Sequence, residues 1–114
     1  MSGETFTHKF LGWFDADARR HINPDGSEGA IVAVTARIAE GLTLSASIEI
    51  GPNAKIGPDA KIGSGANIGY GAEIGPDAKI GYGAKIGSGA NIGYGAEIGP
   101  DAKIGYGAKI GSGA

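Results

Sequence analysis

The sequence predicts an all-β solenoid, in which short strands wind into coils and each strand pairs with the strand one coil further on. Three regularities predict it. From residue 50 onward an isoleucine stands at every sixth position, and a glycine follows each one. An alanine stands four residues after each isoleucine, and the residue before that alanine is always Asn, Asp or Gly. The isoleucines are Ile50, Ile56, Ile62, Ile68, Ile74, Ile80, Ile86, Ile92, Ile98, Ile104 and Ile110.

Each six-residue unit, or hexad, predicts a short strand followed by a corner. Asn, Asp and Gly adopt positive φ at a lower cost than other residues. The residue before them is Pro, Ser or Tyr, and pairs such as Pro-Asp suit the central positions of a type II turn. A helix is excluded because each interior glycine costs about 1 kcal/mol and proline costs more. Strands this short cannot pair in sequence as hairpins, so a solenoid remains.

The pattern Ile-Gly-x-x-Ala-x resembles the hexapeptide repeat of left-handed parallel β-helices. The resemblance covers at least residues 50–114. It implies a triangular coil built from three hexads, with the Ile and Ala side chains pointing inward. The stacked isoleucines are then expected to form the core, because no other segment supplies enough apolar surface.

A longer repeat of four hexads overlies the hexads themselves. Residues 62–85 and 86–109 are identical, and residues 110–114 begin a third copy. This identity indicates either a recent duplication or an engineered, consensus-like sequence. Because a coil takes three hexads and the repeat takes four, stacked positions are expected to carry different side chains in most places. The predicted columns are Lys55, Glu73, Asn91 and Lys109; Lys61, Lys79 and Glu97; and Asn67, Lys85 and Lys103.

The register continues towards the N-terminus in degenerate form. Val32, Ile38 and Leu44 occupy the isoleucine positions of one irregular coil. We therefore expect a single domain in three parts, which are a cap and distorted first coil at 1–31, a degenerate coil at 32–49 and a regular β-helix at 50–114.

The N-terminal segment is less regular. Residues 14–19 fit one further hexad, with Phe14 and Ala18 pointing inward, and residues 24–26 predict a turn. The aromatic segment 4–14 predicts a cap, because the terminal coil of a solenoid otherwise presents open strand edges.

Composition excludes several classes of function. The net charge is −2 at pH 7, so the chain lacks the basic field that a nucleic-acid partner needs. No apolar run approaches the roughly 20 residues of a membrane-spanning helix, and no signal peptide is recognisable. The absence of cysteine excludes disulfides and thiolate metal sites and favours a cytoplasmic location.

Candidate catalytic residues are few. The resemblance implies acyltransferases that use a histidine base at a trimer interface, often beneath a loop that covers an acyl-CoA, or carbonic anhydrases with three histidine ligands. Here the histidines are His8 and His21, both outside the repeats, and we expect each to be a surface or cap residue. Asp15 and Asp17 are expected on a solvated strand face. We therefore expect a protein that is not an enzyme, with no catalytic residue, cofactor or metal.

The outward positions offer contacts for another protein. Tyrosine and tryptophan are enriched at interfaces. The candidate contact residues are Trp13 in the cap and the corner residues Tyr70, Tyr82, Tyr94 and Tyr106. The chain stops at Ala114 within a hexad, where Ile104 and Ile110 are expected to lie at an open end. We expect a second copy to cover this end across a two-fold axis, which forms a homodimer.

Three functions remain as hypotheses. The first is a non-enzymatic structural or interaction protein, a capped solenoid that self-associates as a spacer or scaffold. The second is a small protein-binding inhibitor, such as a virus-encoded antagonist of a host defence complex, that docks through its flat faces or its cap. The third is a degenerate hexapeptide acyltransferase, which coenzyme A binding and histidine-dependent turnover would distinguish from the other two.

Overall fold

The protein, a computed structural model that describes residues 5–10 and 14–114, consists of three longer N-terminal strands and a series of two-residue strands. The strands are β1 (Phe6–Phe10), β2 (Phe14–Ile22), β3 (Glu28–Ala33), β4 (Arg37–Ile38), β5 (Glu49–Ile50), β6 (Lys55–Ile56), β7 (Lys61–Ile62), β8 (Asn67–Ile68), β9 (Glu73–Ile74), β10 (Lys79–Ile80), β11 (Lys85–Ile86), β12 (Asn91–Ile92), β13 (Glu97–Ile98), β14 (Lys103–Ile104) and β15 (Lys109–Ile110). None of the described residues lies in a helix, and so none forms a helix that could cross a membrane.

The short strands build three flat faces of a solenoid. Face 1 contains β3, β5, β8, β11 and β14, face 2 contains β4, β6, β9, β12 and β15, and face 3 contains β7, β10 and β13. Neighbouring strands on a face are parallel and lie three hexads apart in the chain, so that Ile80 pairs with Ile62 on one side and with Ile98 on the other. The left-handed parallel β-helix predicted from the hexads is therefore confirmed.

The outward columns have the composition that a repeat of four hexads on a coil of three predicts. On face 2, Lys55 pairs with Glu73, Glu73 with Asn91, and Asn91 with Lys109. On face 3 the column is Lys61, Lys79 and Glu97, and on face 1 it is Asn67, Lys85 and Lys103.

Like charges still meet at two places in these columns. Residues 56–61 and 74–79 have the same sequence, IGPDAK, and they stack on each other, which places Lys61 beside Lys79. Within residues 62–109 no hexad stacks on an identical one, but Lys85 and Lys103 are neighbours on face 1. The offset between repeat and coil therefore removes most, but not all, of the repulsion along the columns.

The core is a stack of isoleucine and alanine side chains inside the solenoid. Ile50, Ile68 and Ile86 form the column behind face 1 and are each at most 1% exposed. Burial of one such side chain contributes about 2 kcal/mol to the free energy of folding. Ile104 and Ile110 are only partly buried, because the described chain places no further coil over the last one.

The corners turn through positive φ at the position that the sequence predicts. Asp59 has φ of 61° and Gly89 has φ of 70°. From Gly71 onward each corner is also hydrogen-bonded to the coil before it, as where the backbone N–H of Gly89 donates to the carbonyl of Tyr70 at 2.8 Å. Because Asn, Asp and Gly tolerate this conformation, the fourth position of the hexad is restricted to them.

The first coil follows the same path with different corners. Val32, Leu44 and Ile48 are fully buried, while Ile38 is partly buried. At two corners a side-chain hydroxyl replaces the usual carbonyl acceptor. Asn53 N donates to Thr35 Oγ1 at 3.1 Å, and Gly65 N donates to Ser47 Oγ at 2.9 Å. These hydroxyls therefore join the irregular coil to the first regular one.

The N-terminal segment forms an antiparallel extension of face 1. β1 pairs antiparallel with β2, and β2 pairs antiparallel with β3. The interpretation of residues 14–19 as a coil hexad is therefore wrong, since a hexad would pair in parallel. Ala18 is nevertheless buried, against Ala33 and Ile31. A turn at residues 24–26 connects β2 to β3, with Gly26 N donating to Asn23 O at 2.8 Å.

Candidate functional site

A histidine and a carboxylate meet where the N-terminal hairpin contacts the β-helix. Nε2 of His8 lies 3.2 Å from Oε1 of Glu49. The two side chains are 23% and 31% exposed, so the pair is partly shielded but still reachable from solvent. A carboxylate at this distance is close enough to balance positive charge that develops on the imidazole during a reaction.

The pairing of strands places these two residues. His8 is the middle residue of β1 and Glu49 is the first residue of β5. Strands β1, β2, β3 and β5 belong to a single sheet, in which β2 and β3 lie between β1 and β5, so the His8 side chain meets Glu49 across the sheet and not through strand pairing. The pair could not be predicted from the sequence, because nothing in the local pattern indicates which strand the hairpin joins.

The pair combines an imidazole with a carboxylate. The 3.2 Å contact is a close approach of the two groups without hydrogen-bond geometry, so it does not set the tautomer of the neutral ring. A histidine beside a carboxylate can take a proton at a ring nitrogen while the carboxylate balances the charge that develops on the ring. This arrangement is suitable for general-base chemistry.

The second histidine has a structural contact instead. Nε2 of His21 lies 2.8 Å from the carbonyl oxygen of Leu42, which links β2 to the first coil. Beside it, the buried Asn23 side chain accepts from Leu44 N at 2.8 Å and donates to Leu44 O at 3.1 Å. The Asn23 side chain thus forms the pair of hydrogen bonds with Leu44 that a neighbouring strand would form. The sequence did not indicate this role, because an Asn before a proline is typical of a turn.

The turn at residues 24–26 contains a carboxyl group, that of Asp25, whose pKa is shifted from its ordinary value. The hydroxyl and then the backbone N–H of Ser27 donate to Oδ1 of Asp25, at 2.6 and 2.9 Å, and lower the pKa of Asp25 below its ordinary value of 3.8. The side chain is fully exposed, so this contact orders the turn rather than a reactive centre.

The predicted interaction residues are distributed around the solenoid. The four tyrosines, Tyr70, Tyr82, Tyr94 and Tyr106, are exposed at corners, and Tyr106 is 87% exposed. Asn53 Nδ2 donates to the Tyr70 hydroxyl at 3.1 Å. In the last coil Ile104 and Ile110 are partly buried and Ala114 is exposed. Trp13 lies outside the described residues. The contact of these residues with a protein partner, and the end-to-end homodimer, stay predictions.

Comparison with protein families identifies the class to which this chain belongs. Residues 49–76 and 77–112 match the family described as bacterial transferase hexapeptide (six repeats). These matches span more than half of the chain and all but the last two residues of the regular β-helix, so the chain belongs to the bacterial transferase hexapeptide family. No protein with a curated description matches the chain at a significant level.

Solved structures with a similar fold include acetyltransferases. Two structures of perosamine N-acetyltransferase variants from Caulobacter crescentus, with CoA and GDP-perosamine bound, share 28% and 24% sequence identity with this chain over 72% of its length. Their TM-scores are 0.39 and 0.35, and the chain spans 42% and 47% of those proteins. A Bacillus cereus protein with a provisional acetyltransferase assignment shares 21% identity over 71% of this chain and 68% of its own, with a TM-score of 0.35. TM-scores this low carry no argument about function.

The family match corrects one expectation from the sequence. We expected a protein that is not an enzyme, because the repeats contain no histidine. That expectation is contradicted, since the family to which the chain belongs is a family of transferases. The expectation placed His8 and His21 at the surface or in the cap, whereas the fold brings His8 to within 3.2 Å of Glu49 of the β-helix.

Proposed function

We propose that this chain is the β-helical part of a hexapeptide acyltransferase, in which His8 acts as general base and Glu49 positions it. One observation carries the proposal, which is the 3.2 Å contact between His8 Nε2 and Glu49 Oε1. Membership of a family of transferases supports it. The hexapeptide acyltransferases that the repeat resembles use a histidine as base, and His21 is engaged with the Leu42 carbonyl.

The reaction uses the imidazole of His8 as the base. A ring nitrogen of His8 accepts a proton from the amine or hydroxyl group of an acceptor, and the freed lone pair of the acceptor forms a bond to the thioester carbonyl carbon of an acyl-CoA. The carbon–sulfur bond then breaks and the thiolate leaves. The imidazolium returns its proton to the thiolate, so coenzyme A is released as a thiol. Glu49 stabilises the imidazolium between these two steps.

The experiment measures release of the coenzyme A thiol with a thiol-reactive dye. The chain contains no cysteine, so the protein itself adds no background signal. Acetyl-CoA is combined with a panel of small amines and alcohols, and binding of coenzyme A is measured separately by calorimetry. We expect thiol release that depends on both protein and acceptor.

Variants assign the base. Removal of a general base typically lowers the rate by about 10²–10⁴-fold, and we expect this for His8→Ala. Glu49→Gln keeps the shape of the side chain but removes its charge, so it should lower the rate less. His21→Gln is the matched control, because glutamine retains a donor for the Leu42 carbonyl. Acyl transfer that persists in His8→Ala, or absence of both binding and turnover in the wild type, would refute the proposal.

A further inference from the structure

The regular coils show which backbone groups a strand offers to the coil before it. On face 3, Lys61 N donates to Ala78 O at 2.9 Å, and Gly63 N donates to Ile80 O at 2.7 Å. The N–H of Ile80 lies between these two carbonyls in the parallel ladder and points to the same neighbour. A strand of face 3 therefore presents two carbonyls and one N–H towards the N-terminal end of the solenoid.

The first coil presents the same three groups, at Leu42 and Leu44, which occupy the corresponding hexad positions. Among the described residues no strand precedes them on this face. Side chains supply the partners instead. Nε2 of His21 lies 2.8 Å from Leu42 O, Oδ1 of Asn23 accepts from Leu44 N at 2.8 Å, and Nδ2 of Asn23 donates to Leu44 O at 3.1 Å. His21 and Asn23 together thus occupy every group that a preceding strand would bind.

The local backbone holds Asn23 against this edge. β2 and β3 pair with a shift in register between Arg20 and Ile22, and such bulges redirect the side chains beside them. A Cβ atom at Gly29 would collide with Leu44 O and would lie 2.9 Å from Asn23 Nδ2, so this approach requires glycine. Asn23 is only 7% exposed. The fold therefore fixes a buried amide in one position on the edge.

We propose that His21 and Asn23 close face 3 against a second copy of this chain and so prevent the solenoid from extending head to tail. An open strand edge is a template on which another chain can pair. A head-to-tail contact between identical copies does not close on itself, and it therefore produces a filament. The two side chains fill the hydrogen bonds of the edge without offering a new row of backbone groups, so strand pairing stops at the first coil.

The chain itself carries the edge that would pair with an open first coil. In the regular coils the glycine after each isoleucine donates to the next coil, as Gly81 N does to Ile98 O at 2.7 Å. Gly99, Gly105 and Gly111 hold this position in the last coil, and no described residue accepts from their N–H groups. Because every regular coil repeats one pattern of donors and acceptors, these N–H groups match the carbonyls of the first coil in spacing and direction.

Face 1 is closed at the same end by a different means. There β2 pairs antiparallel with β3, so the edge is already occupied by a strand whose direction does not continue the solenoid. The strands of an incoming coil are joined by short corners, so a coil can add only when it pairs on neighbouring faces together. Closure of faces 1 and 3 therefore acts against the addition of a whole coil. This inference does not depend on the proposed acyl transfer.

The test compares variants of the full chain by sedimentation velocity and negative-stain electron microscopy. We expect no filaments from the wild type. Asn23→Ala releases Leu44 N and Leu44 O and should give filaments one solenoid wide, in amounts that rise with protein concentration. Asn91→Ala makes the same substitution in the outward column of face 2 and should give none. Circular dichroism at low concentration establishes that each variant retains its β-sheet signal.

Substitutions in the last coil separate strand addition from a general loss of folding. Proline has no backbone N–H, so Gly99→Pro, Gly105→Pro and Gly111→Pro together remove the donors of the last coil. Combined with Asn23→Ala, they should abolish the filaments. Alanine at the same three positions keeps the N–H groups, and its Cβ atom meets nothing within 4 Å at any of them, so the filaments should persist.

Three results would overturn the inference. The first is a folded Asn23→Ala chain that forms no filaments, and the second is association that the three prolines do not suppress. The third needs no variant, since the Leu44 amide of the wild type should be protected from hydrogen exchange like the Ile80 amide. Exchange of Leu44 at the rate of an exposed amide would show that the edge is open, and it would decide the question even if Asn23→Ala did not fold.

Discussion

Two identical hexads at different depths allow the contribution of burial to be measured without any change in local sequence. Residues 80–85 and 104–109 both read IGYGAK. Ile80 is 3% exposed and has a coil on either side, whereas Ile104 lies in the last coil and is only partly buried. Propensity and turn chemistry cancel between the two positions, so a difference between Ile80→Ala and Ile104→Ala reports packing alone.

The expected magnitudes follow from how much of each side chain is buried. Truncation of a fully buried isoleucine to alanine costs about 2–5 kcal/mol, which combines the lost transfer free energy with the cavity that remains. We expect about 3 kcal/mol for Ile80→Ala. We expect roughly half of that for Ile104→Ala, because part of the side chain already contacts water and the last coil can relax into the cavity.

The assay is chemical denaturation followed by circular dichroism of the β-sheet signal. The slope of free energy against denaturant concentration should be compared between variants, because a solenoid can lose its last coil before the others. Equal losses of stability for the two variants would refute the conclusion that stacking between coils supplies the core. So would a larger loss for Ile104→Ala.

Two further predictions concern a glycine on face 3 and the turn before β3. A Cβ atom at Gly81 would lie 2.5 Å from the backbone nitrogen of Pro100, whereas a Cβ atom at Gly99 would meet nothing within 4 Å. Gly81→Ala should therefore lower the melting temperature, and Gly99→Ala should not. Equal melting temperatures for the two variants would contradict this steric explanation. The pKa of Asp25 lies below 3.8 chiefly because the Ser27 hydroxyl donates to it, so Ser27→Ala should raise that pKa towards 3.8 in an NMR titration. Since the folded pKa is depressed, the stability that this contact contributes is present above the ordinary pKa and is lost as the pH falls through the folded value. An unchanged titration in Ser27→Ala would show that the hydroxyl is not the cause.

The regular part of the fold could be predicted from sequence because the residues of each hexad determine its local backbone geometry. Asp59 and Gly89 indicate positive φ locally, and the inward isoleucines repeat with a period that allows only one stacking. The N-terminal hairpin could not be predicted in the same way. Alternation in residues 14–19 fits a strand of either direction, and only pairing with β3 decides that the strand is antiparallel.

The candidate site was hidden for a related reason. His8 and Glu49 belong to segments far apart in the chain, and neither has a neighbour that signals reactive chemistry. Their contact depends on how the hairpin continues face 1, which is a tertiary property. The sequence alone therefore gave His8 no partner, and the expectation of a protein that is not an enzyme was wrong.

The offset between a repeat of four hexads and a coil of three has a physical consequence for the polar columns of the solenoid. A repeat equal in length to the coil would stack each polar side chain on an identical side chain of the next coil. Lysines stacked in this way would repel one another along the solenoid axis, and they would also repel those of a second molecule related by a two-fold axis. The offset makes a column pass through Asn, Lys and Glu in turn, and the charge then varies along the axis. Like charges remain neighbours only where two Lys hexads happen to stack, as Lys61 does on Lys79 and Lys85 on Lys103 among the described columns.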